Sequence, residues 1–290
     1  MSFRTVVITK QSSLSYKNRF LVVKQDVDEK YIHLSEIDTV VVDTPAVSIS
    51  AYLLKELSDN KINIIFCDEK HNPFGEMQSY YLSHNSPKKI MLQSKWDNDI
   101  KNTVWEYIVK NKIANQILLL KKIKSKRYEL LDEYYHDVKI GDKTNREGHA
   151  AKVYFNELFG KQFVRHHEDV INSALNYGYA ILLSTFNKEV ISNGYITQLG
   201  LNHKSEFNEF NLSCDLMEPF RIVIDQFVYY NHPTELNHEY KMNLVNILNE
   251  IYFYDGKKYT LKDVIRKFVK NVFSTIEEGV IYKEFNIYER

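Results

Sequence analysis

The chain has 290 residues and a mass of 34.4 kDa; it is 44% hydrophobic and 26% charged, with only 9 Gly and 5 Pro. That composition excludes a small stapled scaffold and a disordered or fibrous chain. Its apolar runs, such as residues 40–42 and 117–120, fall far short of the roughly 18 residues of a membrane span. Met1-Ser2-Phe3-Arg4 lacks the apolar segment of a signal peptide. Two cysteines, Cys67 and Cys214, make neither a disulfide framework nor a cysteine-based zinc site, so a reducing cytoplasm is expected.

The net charge of zero conceals a pattern. Residues 81–165 carry 17 Lys and Arg against 10 Asp and Glu, whereas the segments on either side are acidic. The densest part is Lys121, Lys122, Lys124, Lys126 and Arg127, with Lys88 and Lys89 before it and Lys139, Lys143, Arg146, Lys152, Lys161 and Arg165 after it. Such clustering fits either a positive stripe for phosphates or an ordinary solvated helix face.

In chain order, residues 5–8, 19–24, 31–34, 39–42 and 62–66 are short β-branched or aromatic runs with the period of strands. Residues 16–20 suit a tight hairpin with Asn18 at positive φ. One helix is expected among them, capped by Ser48 or Ser50 and burying Tyr52, Leu53, Leu54 and Leu57. A polar stretch over 68–75 and a second break at 83–89 bound a linker, placed at 76–89. Beyond it the apolar period becomes 3.6, through Trp96, Ile100, Val104, Ile108, Ile113, Ile117 and Leu120. Further helices are expected over 146–159, 170–186, 216–229, 238–249 and 261–278, with a hairpin about Asp255-Gly256. The fold class is therefore α+β: a β-sandwich-like domain over 1–75 with one helix, then a larger all-α domain over 90–290.

Phosphate loops, dinucleotide fingerprints, nucleophile elbows and paired-histidine protease motifs are absent from the sequence. Polar residues concentrate in three places: Asn145-Arg146-Glu147-Gly148-His149, Gly200-Leu201-Asn202-His203 and Asp215-Leu216-Met217-Glu218-Pro219-Phe220-Arg221. Two carboxylates and an imidazole, Glu147, Glu218 and His203, would suit Mg²⁺ or Mn²⁺ better than Zn²⁺ or Ca²⁺ and would activate an oxygen nucleophile against a phosphodiester. From these residues alone a purely structural account is the stronger one. Asp215-x-x-Glu218 reads as a capping box, Glu147 favours the dipole of a helix start, and His203 closes a loop. His166-His167-Glu168-Asp169 looks ligand-like, but its side chains diverge. Tyr177 and Tyr179 stack on bases or pack within their helix.

Four stretches, residues 148–155, 171–179, 199–203 and 210–221, resemble the CRISPR-associated endonuclease/integrase family, the larger component of the complex that inserts spacers into CRISPR arrays. The order of a β-rich domain followed by a helical one also matches. The length, Ser2-Phe3-Arg4 and the wording of residues 215–221 look most like the subtype that accompanies a Cas9-type effector. The resemblance implies a metal-dependent DNA integrase and nuclease that joins the 3′-hydroxyl ends of a short protospacer duplex to the borders of a CRISPR repeat by transesterification. Glu147, His203 and Glu218 fall on the family's Mg²⁺ or Mn²⁺ ligands and catalytic positions, Asp215 on its supporting acid, and Arg221 on a contact to DNA phosphate. Arg146, Lys121, Lys122, Lys124, Lys126 and Arg127 then read as a track for duplex DNA. The implied partners are a second copy through the β domain, a small CRISPR-associated protein bridging two dimers, the Cas9-type effector and an accessory adaptation protein. The competing readings are a structure-selective, metal-dependent DNA repair nuclease, a non-catalytic helical binding module, and an RNA-processing protein.

Overall fold

The computed structural model describes residues 4–69, 71–77, 79 and 83–279; Ser2 and Phe3 lie outside them. The chain divides into two compact units, Met1–Leu82 with Asn237–Asn249, and Ser83–Leu236 with Glu250–Arg290.

In the first unit the strands are β1 (Arg4–Ile8), β2 (Ser12–Lys17), β3 (Phe20–Gln25), β4 (Asp28–His33), β5 (Ile37–Val42) and β6 (Val47–Ile49). Helix α1 (Ala51–Asp59), β7 (Asn63–Cys67) and β8 (Pro73–Met77) follow. One sheet has the order β1-β5-β7-β8 and the other β4-β3-β2-β6. Strand β5 is buried along its whole length and pairs parallel with β1 and β7, which explains its unbroken apolar run of Val40, Val41 and Val42. Strands β2 and β3 form the expected hairpin, with Lys17 opposite Phe20 and positive φ at Asn18 (49°) and Arg19 (69°), the twist a two-residue turn needs. Ser50, not Ser48, caps α1 by accepting the Leu53 N–H, and Tyr52, expected in the buried stripe, is exposed instead because the helix buries Leu53 and Leu57. Leu14, Leu21, Val40, Leu53, Leu57 and Ile64, drawn from both sheets and α1, share one core.

The second unit begins with α2 (Ser86–Gln93), α3 (Asn98–Lys122) and α4 (Tyr128–Asp137), followed by α5 (Arg146–Phe159), α6 (Val170–Ser192) and α7 (Asn211–Met217). A 3₁₀ turn, Glu218–Phe220, joins α7 to α8 (Arg221–Asn231). Helix α9 (His238–Asn246) belongs to the first unit, although its helical period alone groups it with its neighbours in sequence. The β9 (Ile251–Tyr254) and β10 (Lys257–Thr260) hairpin and α10 (Leu261–Glu278) complete the second unit. Helices α5 and α10 have the bounds expected from sequence.

Three expectations are corrected. Helix α6 runs to Ser192, one and a half turns past 186, because Asn187, Glu189 and Val190 continue its buried face. The helix expected from 216 begins at Asn211, so the segment 211–231 is helical throughout, with a tightened turn at Pro219. Strand β8 falls in a stretch read as polar turn and linker, because β7 supplies a ladder that Pro73–Met77 can join. Elements β8 and α2 both reach into 76–89, where residues 78 and 80–82 lie outside the described ones. Among the described residues no helix is long and apolar enough to cross a membrane.

Candidate active site

The core of the second unit is α3, packed on α4, α5, α8 and α10. Its inward face carries Val104, Trp105, Ile108, Leu119 and Leu120, but Asn111, Lys112, Asn115 and Gln116 interrupt the apolar stripe and are also buried. A long polar side chain at a core position is costly unless it is paired, and the partners of these residues define the site. The Lys112 ammonium donates to Oε2 of Glu218 at 2.6 Å and also to Oε1 of Glu147. One turn along, Asn115 donates to the carbonyl of Pro219 at 3.1 Å. Helix α3 thus grips the 3₁₀ turn by both a carboxylate and the backbone.

Glu147 is held at the start of α5. Gly141 and Asn145 adopt positive φ as the chain turns, and the Asp142 carboxylate accepts the N–H groups of Arg146 (2.8 Å) and Glu147 (3.0 Å). These are two of the donors that a helix start leaves unsatisfied. The Glu147 side chain is therefore released from capping and faces Lys112. Glu218 is nearly enclosed; its second oxygen accepts from Nε of Arg221 at 2.9 Å. Burial would raise the Glu218 carboxyl, but Arg221 and Lys112 beside it bring it down to about 2. Burial likewise works against the Lys112 charge, and Glu218 and Glu147 overcome it, holding the ammonium above its ordinary value.

The capping-box account of Asp215 and Glu218 is overturned. Asp215 lies inside α7, fully buried, and its carboxylate serves the loop before the helix. Oδ2 accepts the N–H groups of Leu201 (2.6 Å) and Asn202 (3.0 Å), and Oδ1 accepts that of His203 (3.2 Å). Oδ1 also accepts from Nδ1 of His203. Gly200 permits this close approach: a Cβ there would stand 2.5 Å from the His203 carbonyl oxygen and 2.8 Å from Oδ2 of Asp215. An ionised carboxylate can only accept, so Nδ1 carries the proton and Nε2 is the ring nitrogen presented elsewhere. The bond to Asp215 raises the His203 pKa, against the effect of burial. His203 also meets the edge of Trp105, with ring centroids 5.9 Å apart, and lines a cavity of about 430 Å³ shared with Trp96, Lys101, Lys204 and Asn208.

The structure therefore brings Glu147 and Glu218 together through Lys112, and His203 together with Asp215. Among the described residues no group of three or more His, Cys, Asp and Glu side chains is arranged to hold a metal directly. Arg221 is committed to Glu218 and lies over the Tyr179 ring at 4.6 Å. Arg146 pairs with Asp137 and lies over Tyr134. Lys121, Lys122, Lys124, Lys126 and Arg127 are exposed around the end of α3, with Lys121 over the Tyr128 ring and Lys122 over Tyr230. Tyr177 and Tyr179 are buried.

Two features escape the motif reading. Lys112 leaves a signal, a lysine on an apolar helical stripe. The second is a buried network in which Tyr154 donates to Asp225 at 3.1 Å and Tyr179 donates to its other oxygen. Burial pushes Asp225 up to about 6 despite these donors. The signal there is again an acid on an apolar face, within Ile222-Val223-Ile224-Asp225.

Solved structures share this fold of a strand-built unit and a helical unit. A casposase bound to integration product superposes with a TM-score of 0.80 at 18% identity, over 100% of this chain and 96% of that one. The chain of a Cas6-RT-Cas1–Cas2 complex superposes with a TM-score of 0.77 at 21% identity, over 99% of this chain and 36% of the longer one. The family model of CRISPR associated protein Cas1 matches residues 5–239, and the chain belongs to that family. A CRISPR-associated endonuclease Cas1 of Neisseria meningitidis serogroup C (strain 8013) is 30% identical over 292 residues, covering 98% of this chain and 94% of that protein.

Proposed function

We propose that this protein is the integrase of CRISPR adaptation, joining the 3′-hydroxyl ends of short duplexes to phosphodiesters at repeat borders. The observation that carries the reading is the convergence of two carboxylates, Glu147 and Glu218, on one buried cation position in a chain of this family. The donor set fits a hard divalent ion: two carboxylate oxygens already share a cation, and Asp215 ties down Nδ1 of His203, leaving Nε2 as a ligand nitrogen. Glu147, Glu218 and His203 would hold Mg²⁺ or Mn²⁺, which when bound supplies Lewis-acid activation of an oxygen nucleophile and neutralises charge at the phosphodiester.

The rest falls to the chain's own groups. Asp215 fixes the loop 201–203 and with it the imidazole. Arg221, beside Glu218, offsets negative charge that develops on the phosphate. The exposed basic cluster at the end of α3, with Arg146, guides the duplex by phosphate contacts. The assembly we propose is a homodimer formed through sandwich-like packing in the first unit. Two such dimers are bridged by a small Cas2-type partner and work with a Cas9-type effector and an accessory adaptation protein in the cytoplasm.

The test supplies purified protein with Mg²⁺ or Mn²⁺, a labelled short duplex with free 3′-hydroxyls and a supercoiled repeat plasmid, with and without the small partner. Joined product that needs the metal and vanishes in His203→Ala is the expected result. Cleavage without joining when the partner is present would point instead to a repair nuclease.

A further inference from the structure

We propose that Lys112 is a built-in cation that fills the position between Glu147 and Glu218 until a divalent ion arrives, and that metal binding is an exchange in which its ammonium leaves. The inference rests on Glu147, His203 and Glu218 being the metal ligands. Lys112 Nζ donates to one oxygen of each carboxylate, and its side chain is only 10% exposed. Arg221 takes the second oxygen of Glu218, so two carboxylates are balanced by two cations.

An ammonium has three donors and no lone pair. It cannot share a coordination position with a dication, and at a few ångströms the two repel strongly in a poorly solvated site. Withdrawing Lys112 with nothing in its place leaves two carboxylates facing each other, one of them almost buried, which is costly. The long stem of lysine suits the exchange, because its head can swing to another position while its methylenes stay packed. On this view Lys112 keeps the site assembled and charge-balanced at low metal concentration, and it lowers the affinity for the ion that replaces it.

The experiment compares wild type, Lys112→Met, Lys112→Gln and Lys112→Arg by titration with Mn²⁺ alone, read by electron paramagnetic resonance of the unbound ion. Thermal melting is followed with and without Mn²⁺. Met and Gln should tighten Mn²⁺ binding by about tenfold or more, lower the melting temperature of the ion-free protein, and enlarge the rise on adding Mn²⁺. Arg, which keeps the charge, should bind no more tightly than wild type. If Met alone prevents folding, Gln carries the comparison.

A bystander charge near the site would also weaken metal binding, so a second readout follows the ammonium itself. Reductive methylation of Lys112, quantified by peptide mass spectrometry, should become several-fold faster when Mg²⁺ is added. Equal or weaker Mn²⁺ binding in both neutral variants, or labelling of Lys112 unchanged by Mg²⁺, would overturn the exchange. Glu218→Gln separates this from failure of the underlying reading: if it binds Mn²⁺ as wild type does, the metal does not sit at Glu218, and both proposals fall together.

Discussion

Asp215 shows how much one carboxylate can organise. It satisfies three backbone N–H groups and an imidazole from a single buried position, so removing it strands several donors at about 1–3 kcal/mol each. Asp215→Ala should therefore destabilise the second unit by more than about 3 kcal/mol in urea unfolding. Asp215→Asn keeps one acceptor oxygen and should lose less stability, but its neutral amide accepts the Nδ1–H more weakly than a carboxylate does and no longer stabilises a charged imidazole. In that variant joining activity should fall further than stability does. Asp225 makes a different prediction, because its folded pKa lies above the ordinary 3.8, at about 6. The fold binds this proton more tightly than the unfolded chain does, so the associated stability is present below about pH 4 and is lost as pH rises through about 6. A difference of about two units corresponds to about 3 kcal/mol. Urea unfolding of wild type and Asp225→Asn between pH 4 and 8 should show the variant gaining relative stability with rising pH; parallel profiles would contradict the assignment.

The same site depends on how closely helices approach. Gly178 on α6 faces Ile224 on α8, and a Cβ there would stand 2.5 Å from Cγ2 of Ile224. The β-branched Ile cannot withdraw that methyl without changing χ1. Gly178→Ala should therefore destabilise by about 1–3 kcal/mol through overpacking, although alanine gains about 1 kcal/mol in a helix interior. Ile224→Ala should cost less in the Gly178→Ala background than alone, and a double-mutant cycle measures that coupling. Helix α8 also carries Arg221 and Asp225, so a displaced α8 would loosen the groups behind Glu218. The 3₁₀ turn at Glu218–Phe220 has its own anchor in Asn115, whose amide holds the Pro219 carbonyl.

For the molecule as a whole, charge distribution outweighs net charge. A neutral chain with an exposed basic cluster at the end of α3 can attract a polyanion to that cluster. If the cluster follows DNA phosphates, each lysine releases about one counterion. Replacing Lys121, Lys124 and Lys126 together with Gln should flatten the slope of log affinity against log salt by about 2 to 3. Filter binding of a short duplex over a range of NaCl concentrations reads that slope. An unchanged slope would return the cluster to a solvated helix surface, its lysines resting on Tyr128 and Tyr230.

Local patterns determined much of this protein. The short strand-forming runs of the first unit, the Asn18 hairpin, a serine cap at Ser48 or Ser50, the Asp255-Gly256 hairpin and the bounds of α5 and α10 all follow from interactions within a few residues. The residue types at 147, 203, 215 and 218 were also legible as a polar group set against apolar surroundings. What each of them touches was not legible. Asp215 and Glu218 have the spacing of a capping box, yet the helix starts four residues before Asp215, and their partners come from the loop 201–203, from Lys112 on α3 and from Arg221. Strand β8 needed the edge of β7 before it could pair, and α9 joined the first unit although its period resembles that of the helices around it. Hydrophobic period and turn chemistry are written along the chain because the forces behind them are short-ranged in sequence. Tertiary structure alone decided that Lys112 stands between Glu147 and Glu218, because a buried charge takes its position from partners 35 and 106 residues away.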